Sequence, residues 1–123
     1  MGALDVLHRW DRARGSAYAV GSAASLRRLY VARSEAGAAD LRLLRRYAAR
    51  GLVVTGMRRQ VLEAHVRRST SRRLVLRVTD RLVGAVAVGS DGRRRLPSAG
   101  PHPWVLTFRR TGHRWLLERV VAG

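Results

Sequence analysis

Apolar residues near the start of the chain fall at steps of three and four. Leu4, Leu7, Trp10, Ala13, Ala17 and Val20 share one face of a helical period, which predicts an amphipathic helix. Gly21 ends it, because glycine readily takes the left-handed conformation that closes a helix. Ser22 or Ser25 can cap a second, short helix carrying Leu26, Leu29 and Tyr30, since a serine hydroxyl accepts from the free amides of a first turn. A third helix is predicted to start near Ala36 to Ala39, to carry Leu41, Leu44, Tyr47 and Ala48 on one face, and to stop at Gly51. Arg45, Arg46 and Arg50 sit in its last turns, where positive charge suits the carbonyl end of the helix dipole.

From Leu52 onward the pattern changes to β-branched and alternating segments. Strands are predicted at 52–55, 57–68, 73–88, 93–97, 104–110 and 113–121. Ser69-Thr70-Ser71, Ser90-Asp91-Gly92 and Thr111-Gly112 are short polar turns, so neighbouring strands should pair antiparallel. Ser98 to Pro103 reads as a Pro/Gly-rich loop. Helices followed by an antiparallel run predict the α+β class: three N-terminal helices (about 4–50) packed on one face of a strongly curved antiparallel sheet (about 52–121), in a single domain spanning 1–123.

Composition adds a surface to this plan. Arginine supplies all 25 basic side chains against eight acids, for a formal net charge of +17. A GC-rich genome can replace lysine by arginine, but it leaves the acidic codons available. An ordinary domain of this length would carry about 15 acids. The imbalance favours acidic partners such as nucleic acid, an anionic membrane or an acidic protein face. Cysteine is absent, which excludes disulfides and thiolate metal sites. No apolar run reaches the length of a membrane span, and Met1 to Asp11 lacks the layout of a signal peptide. The expected location is the cytoplasm, or a soluble domain cut from a longer anchored chain.

A set of short motifs accompanies this order of elements. Trp10-Asp11-Arg12-Ala13 is followed by Ala17-Tyr18-Ala19-Val20-Gly21-Ser22, then by Ser25-Leu26-Arg27-Arg28-Leu29-Tyr30, and Gly112-His113-Arg114-Trp115 opens the last strand pair. Over nearly its whole length the chain resembles the nuclear transport factor 2-like superfamily, which includes polyketide cyclases, ketosteroid isomerases and dehydratases as well as modules without catalysis. The resemblance implies a cone-like α+β barrel whose sheet wraps a helix-covered pocket, and a homodimer formed through the outer sheet face. Isomerase-like members carry a catalytic aspartate on a short strand just after the second helix. Here Val31-Ala32-Arg33-Ser34-Glu35-Ala36-Gly37 offers none.

A pocket acid in an apolar cone has a raised pKa and can move protons near neutrality. Asp80 is the candidate, because alternation places it on the same side as Leu74, Leu76 and Val78. The competing reading pairs it with a neighbouring arginine such as Arg81. Trp10, Tyr18, Tyr30, Tyr47, Asp80 and Trp115 are the expected pocket-lining residues, with Trp115 in phase with Leu117 and Val121. Asp11 could point into the cone or pair outside with Arg12 or Arg14. Glu63 and His65 share one strand face, opposite Leu62, Ala64 and Val66, and no third ligand completes a metal site with His8, His102 or His113. No metal or cofactor is expected. Arg67, Arg68, Arg72 and Arg73 flank one hairpin turn, where guanidinium groups can grip anions in bidentate fashion, while Arg93 to Arg95 and Arg109-Arg110 lie at other turns. Without an aromatic platform or a known motif, specific nucleic-acid recognition is not expected.

The expected function is a pocket-bearing binding module, non-catalytic, for a hydrophobic small ligand or a protein partner. The alternatives are a cyclase, isomerase or dehydratase acting on a hydrophobic small molecule through Asp80, and an arginine-rich binder of nucleic acid or an acidic partner.

Overall fold

The computed structural model describes residues 2–123. α1 (Ala3–Val20), α2 (Ala23–Arg27) and α3 (Glu35–Ala49) precede β1 (Val53–Thr55), β2 (Arg58–Ser69), β3 (Arg73–Val83), β4 (Val86–Gly89), β5 (Gly92–Arg95), β6 (His102–Thr111) and β7 (Arg114–Ala122). Gly21 closes α1 at φ 67°, the left-handed conformation that glycine takes without strain. The Ser22 hydroxyl accepts from the Ser25 amide at 3.0 Å and caps α2. α3 begins earlier than the apolar period predicts, because Ser34 caps it by accepting from the Gly37 amide at 3.1 Å.

The strands form a four-stranded antiparallel sheet in the order β2-β3-β6-β7 and a three-stranded one in the order β1-β4-β5. The sequence pattern predicts one long strand over 73–88, and the structure divides it at Gly84. Gly56 and Gly84 cross there with φ of 68° and 73°, and a Cβ added to either would lie 2.7 Å from the other's carbonyl oxygen. Only glycine permits that approach, so the chain turns the corner from one sheet to the other between β3 and β4. Helices on these bent sheets give the cone-like α+β architecture. The predicted loop is also shorter than expected: Pro103 lies in β6 opposite Thr79, near the strand's start, where a missing amide is tolerated.

Bulges change which side chains face inward. Leu62 and Arg67 are extra residues in β2, and Glu118 is extra in β7. Simple alternation groups Leu62 with Ala64 and Val66 opposite Glu63, but the bulge turns Leu62 outward with Glu63, and Leu62 and Val66 are 51% and 55% exposed. Likewise Trp115 and Leu117 stay in phase, whereas the bulge at Glu118 moves Val121 to the outer face.

The core packs Leu7, Trp10, Leu26 and Leu44 of the helices against Leu76, Val78, Phe108 and Leu117 of the large sheet. The Trp10 ring meets Tyr30 and Phe108 edge-on, at 5.4 and 6.0 Å between centroids. Its indole N–H donates to the Leu29 carbonyl at 2.8 Å. Residues 29–31 then run beside β7: the Val31 amide donates to the Leu117 carbonyl and the Leu117 amide to the Leu29 carbonyl, both at 2.9 Å.

A charged cluster joins α1, α3 and the segment after α2. Arg14 of α1 makes a two-pronged ion pair with Asp40 of α3, Nε to Oδ2 at 2.7 Å and Nη2 to Oδ1 at 2.9 Å. The Tyr30 hydroxyl donates to Asp40 Oδ2 at 2.6 Å, and the Tyr18 hydroxyl donates to Oδ1. The guanidinium also lies over the Tyr18 ring, 5.0 Å from its centre. All four residues are buried. Burial by itself would push the Asp40 carboxyl up, but Arg14 and then the two phenols more than offset it and hold Asp40 below its ordinary range. Burial and the Asp40 charge push both phenols well above theirs.

Asp40→Asn leaves Arg14 buried without a counter-ion and is expected to cost about 3–5 kcal/mol of unfolding free energy, measured by urea denaturation. The stabilisation from ionised Asp40 is complete above its unfolded pKa of about 4 and disappears as pH falls through the lowered folded value. That from the phenols is complete below about 10 and disappears as pH rises beyond it. Asp40→Asn should therefore flatten the acid shoulder of the stability profile. Gly84→Ala, strained at its φ and pressed on the Gly56 carbonyl, should cost more than about 1 kcal/mol in the same assay.

Candidate functional site

A cavity of about 100 Å³ lies between the helices and the concave face of the large sheet. Leu7 and Trp10 of α1, Tyr30 after α2, Trp104 and Leu106 of β6, and Leu117 and Val120 of β7 wall it with apolar surface. Asp80 of β3 and Arg59 of β2 supply its charged groups. The lining is apolar apart from this one charged pair.

Asp80 is 2% exposed and accepts from Arg59 Nη1 at 3.3 Å. Burial pushes its carboxyl above the ordinary range, and the nearby Asp11 charge adds to this, while Arg59 and the Trp104 indole pull the other way. Its partner is thus Arg59, across the strand pair, rather than Arg81. Arg81 points outward and donates to Gln60 Oε1 at 2.6 Å. Asp11 likewise pairs with neither Arg12 nor Arg14: it is buried and lies close enough to Asp80 to push its pKa up. Its Oδ2 accepts from the Arg59 backbone amide at 2.9 Å, which anchors α1 to the start of β2.

Of the residues read from the sequence as pocket-lining, Trp10, Tyr30 and Asp80 meet at the cavity. Tyr18 instead points to Asp40, and Tyr47 lines an outer groove with Arg50, Leu52 and Arg94. Trp115 sits half-buried opposite Arg110, away from the cavity. The Tyr30 ring forms part of the cavity wall, but its hydroxyl is committed to Asp40. Sequence reasoning missed Arg59 and Trp104. The inward position of Arg59 follows from its register opposite Leu82, two residues before Val61 meets Asp80, and that pairing is not legible without the sheet.

The expected arginine cluster is rearranged as well. Arg68, Arg72 and Arg73 lie around an open slot of about 670 Å³ together with Arg109 and Arg110 from the neighbouring turn, whereas Arg67, displaced by its bulge, is not part of the lining. On the outer face of β2, His65 Nε2 and Glu63 Oε1 are 2.7 Å apart. Among the described residues no group of three His, Asp or Glu side chains is placed to hold a metal, and no helix is long and apolar enough to cross a membrane.

No protein-family model matches the chain, and no curated protein does. Solved structures do. The intermembrane space region of the chloroplast protein ARC6 superposes with a TM-score of 0.64 at 12% identity, over 100% of this chain and 98% of that one. A Streptomyces avermitilis protein of the NTF2-like family, proposed to be a dehydratase, matches at 0.57 and 16% identity over 97% and 94% of the two chains. A Nostoc punctiforme protein of unknown function with a cystatin-like fold matches at 0.55 and 13%, over 98% and 90%. Identities this low carry the architecture alone, and with the helix order and the bent sheets they establish that the chain has the nuclear transport factor 2-like fold.

Proposed function

We infer that the chain is a non-catalytic binding module whose cavity receives one small apolar group, either a compact ligand or a side chain offered by a partner protein. The observation that carries this reading is the wall of Leu7, Trp10, Trp104, Leu106, Leu117 and Val120 around a space of about 100 Å³, smaller than the engineered cavity of about 150 Å³ that accommodates benzene. Turnover by a cyclase, isomerase or dehydratase would use a proton carrier and a second polar group facing the same substrate. Asp80 has the raised pKa of a proton carrier, but it is ion-paired with Arg59, and the nearest phenol donates its proton to Asp40. The Asp80–Arg59 pair is better suited to orienting a polar end of the ligand.

A second copy of the chain is the proposed partner on the outer sheet face. Leu62 and Val121, both turned outward by bulges, expose apolar surface on the face that also carries half-buried Val75, Val105 and Leu116. Two chains of +17 repel one another, so salt should strengthen their association.

The cavity is tested by titrating isobutanol into isotopically labelled protein and following the indole resonances of Trp10 and Trp104. Saturable shifts are expected in the native chain and in Asp80→Asn, and none in Val120→Phe, which fills the space. Indole signals that never respond would sink the reading. Asp80→Asn should cost no more than about 1 kcal/mol, because Arg59, the partner it leaves unpaired, is partly exposed to water. Sedimentation should register a dimer that grows with ionic strength and is lost in Leu62→Arg; a monomer at every salt concentration would exclude the pairing.

A further inference from the structure

The arginines at the far end of the large sheet form a site that the cavity does not use. Antiparallel pairing of β3 with β6 brings the β2–β3 turn beside the β6–β7 turn, and the Arg110 amide donates to the Arg72 carbonyl at 2.8 Å, tying the two together. The first turn is braced from within: the Thr70 hydroxyl accepts from the amides of Arg72 at 3.3 Å and Arg73 at 2.9 Å. Arg110 Nε donates to the Gly112 carbonyl at 3.0 Å, which fixes its guanidinium over the second turn. Arg68, Arg72, Arg73, Arg109 and Arg110 therefore surround one open slot of about 670 Å³.

The pairing inside this slot is electrostatically costly. Arg73 and Arg109 stand directly opposite each other in the register, and like charges in that position destabilise a sheet. Glu118, the extra residue of the β7 bulge, sits between them, with Oε1 3.5 Å from Arg73 Nη2 and Oε2 3.3 Å from Arg109 Nη1. One carboxylate thus serves two guanidiniums. Among the described residues Arg68, Arg72 and Arg110 have no acidic partner. The slot lacks an exposed aromatic or aliphatic side chain that could enter a bilayer or stack on a base, and it is concave where a lipid surface is flat.

We propose that this slot binds a compact, multiply charged phosphate anion, a diphosphate or triphosphate group, with Arg72 and Arg110 as its principal ligands and Glu118, outside the slot's lining, as a carboxylate that competes for Arg73 and Arg109. Forked guanidinium donors from two turns match the oxygens of successive phosphates, and each charge-assisted contact adds to the next. The site is independent of the apolar cavity.

Inorganic tripolyphosphate titrated calorimetrically into the full chain at fixed ionic strength tests the assignment. One-to-one binding is expected, weakened at least about tenfold by Arg72→Gln with Arg110→Gln, since two charge-assisted contacts are lost. Arg45→Gln with Arg46→Gln removes the same charge from the exposed face of α3 and should change affinity less than about twofold, because neither residue lines the slot and salt screens exposed charges. Glu118→Gln should tighten binding by freeing two guanidiniums, an effect that a merely damaged fold would not produce. Equal weakening by both double variants, unchanged or weaker binding in Glu118→Gln, or binding to phosphatidylglycerol vesicles without binding to tripolyphosphate would each overturn the proposal.

Discussion

The position of the helices relative to one another depends on a single carboxylate. Asp40 accepts from the Arg14 guanidinium and from the Tyr18 and Tyr30 phenols, so α1, α3 and the segment leaving α2 converge on two oxygen atoms. A buried ion pair adds little to net stability compared with a well-packed apolar contact, because desolvation consumes most of its attraction. Its effect is on geometry: any packing of the helices that separates these partners strands a charge in the core. The apolar contacts of Leu7, Leu26 and Leu44 could be made in several helix registers. The cluster admits only the one that meets its hydrogen bonds.

Two buried aspartates of the same chain are thus shifted in opposite directions. Asp40 has a fully engaged, equally buried arginine and two phenols, and is held ionised. Asp80 has one contact with an arginine that is itself partly exposed, and burial pulls it toward the neutral form. The first arrangement spends its polar groups on each other and leaves nothing for a ligand. The second leaves a carboxyl with unused hydrogen-bonding capacity at the edge of an apolar space.

Much of this was legible in the chain. The apolar period of α1, the glycine at its end, the serine cap of α2 and the polar turns between strands are all local signals, and the structure follows them. Features governed by pairing across the sequence were not. The division of the predicted 73–88 strand depends on Gly56 meeting Gly84, and the outward turn of Leu62 and Val121 depends on bulges that only the partner strand defines. Asp40 escaped notice although a local signal existed: it lies three residues after buried Gly37 and four before buried Leu44, an acid on the inward face of α3. Arg14 occupies the matching position on α1, between Trp10 and Tyr18. Opposite charges on two inward helix faces could have been read together as a buried pair.

Tyr30 belongs to both of these systems. Its ring is a wall of the cavity, its hydroxyl ends in the Asp40 cluster, and its backbone lies against β7. The chamber cannot widen on that side without pulling a phenol off a buried charge. Its volume is therefore tied to the helix core: enlarging it would disturb the same hydrogen bonds that hold α1 and α3 together.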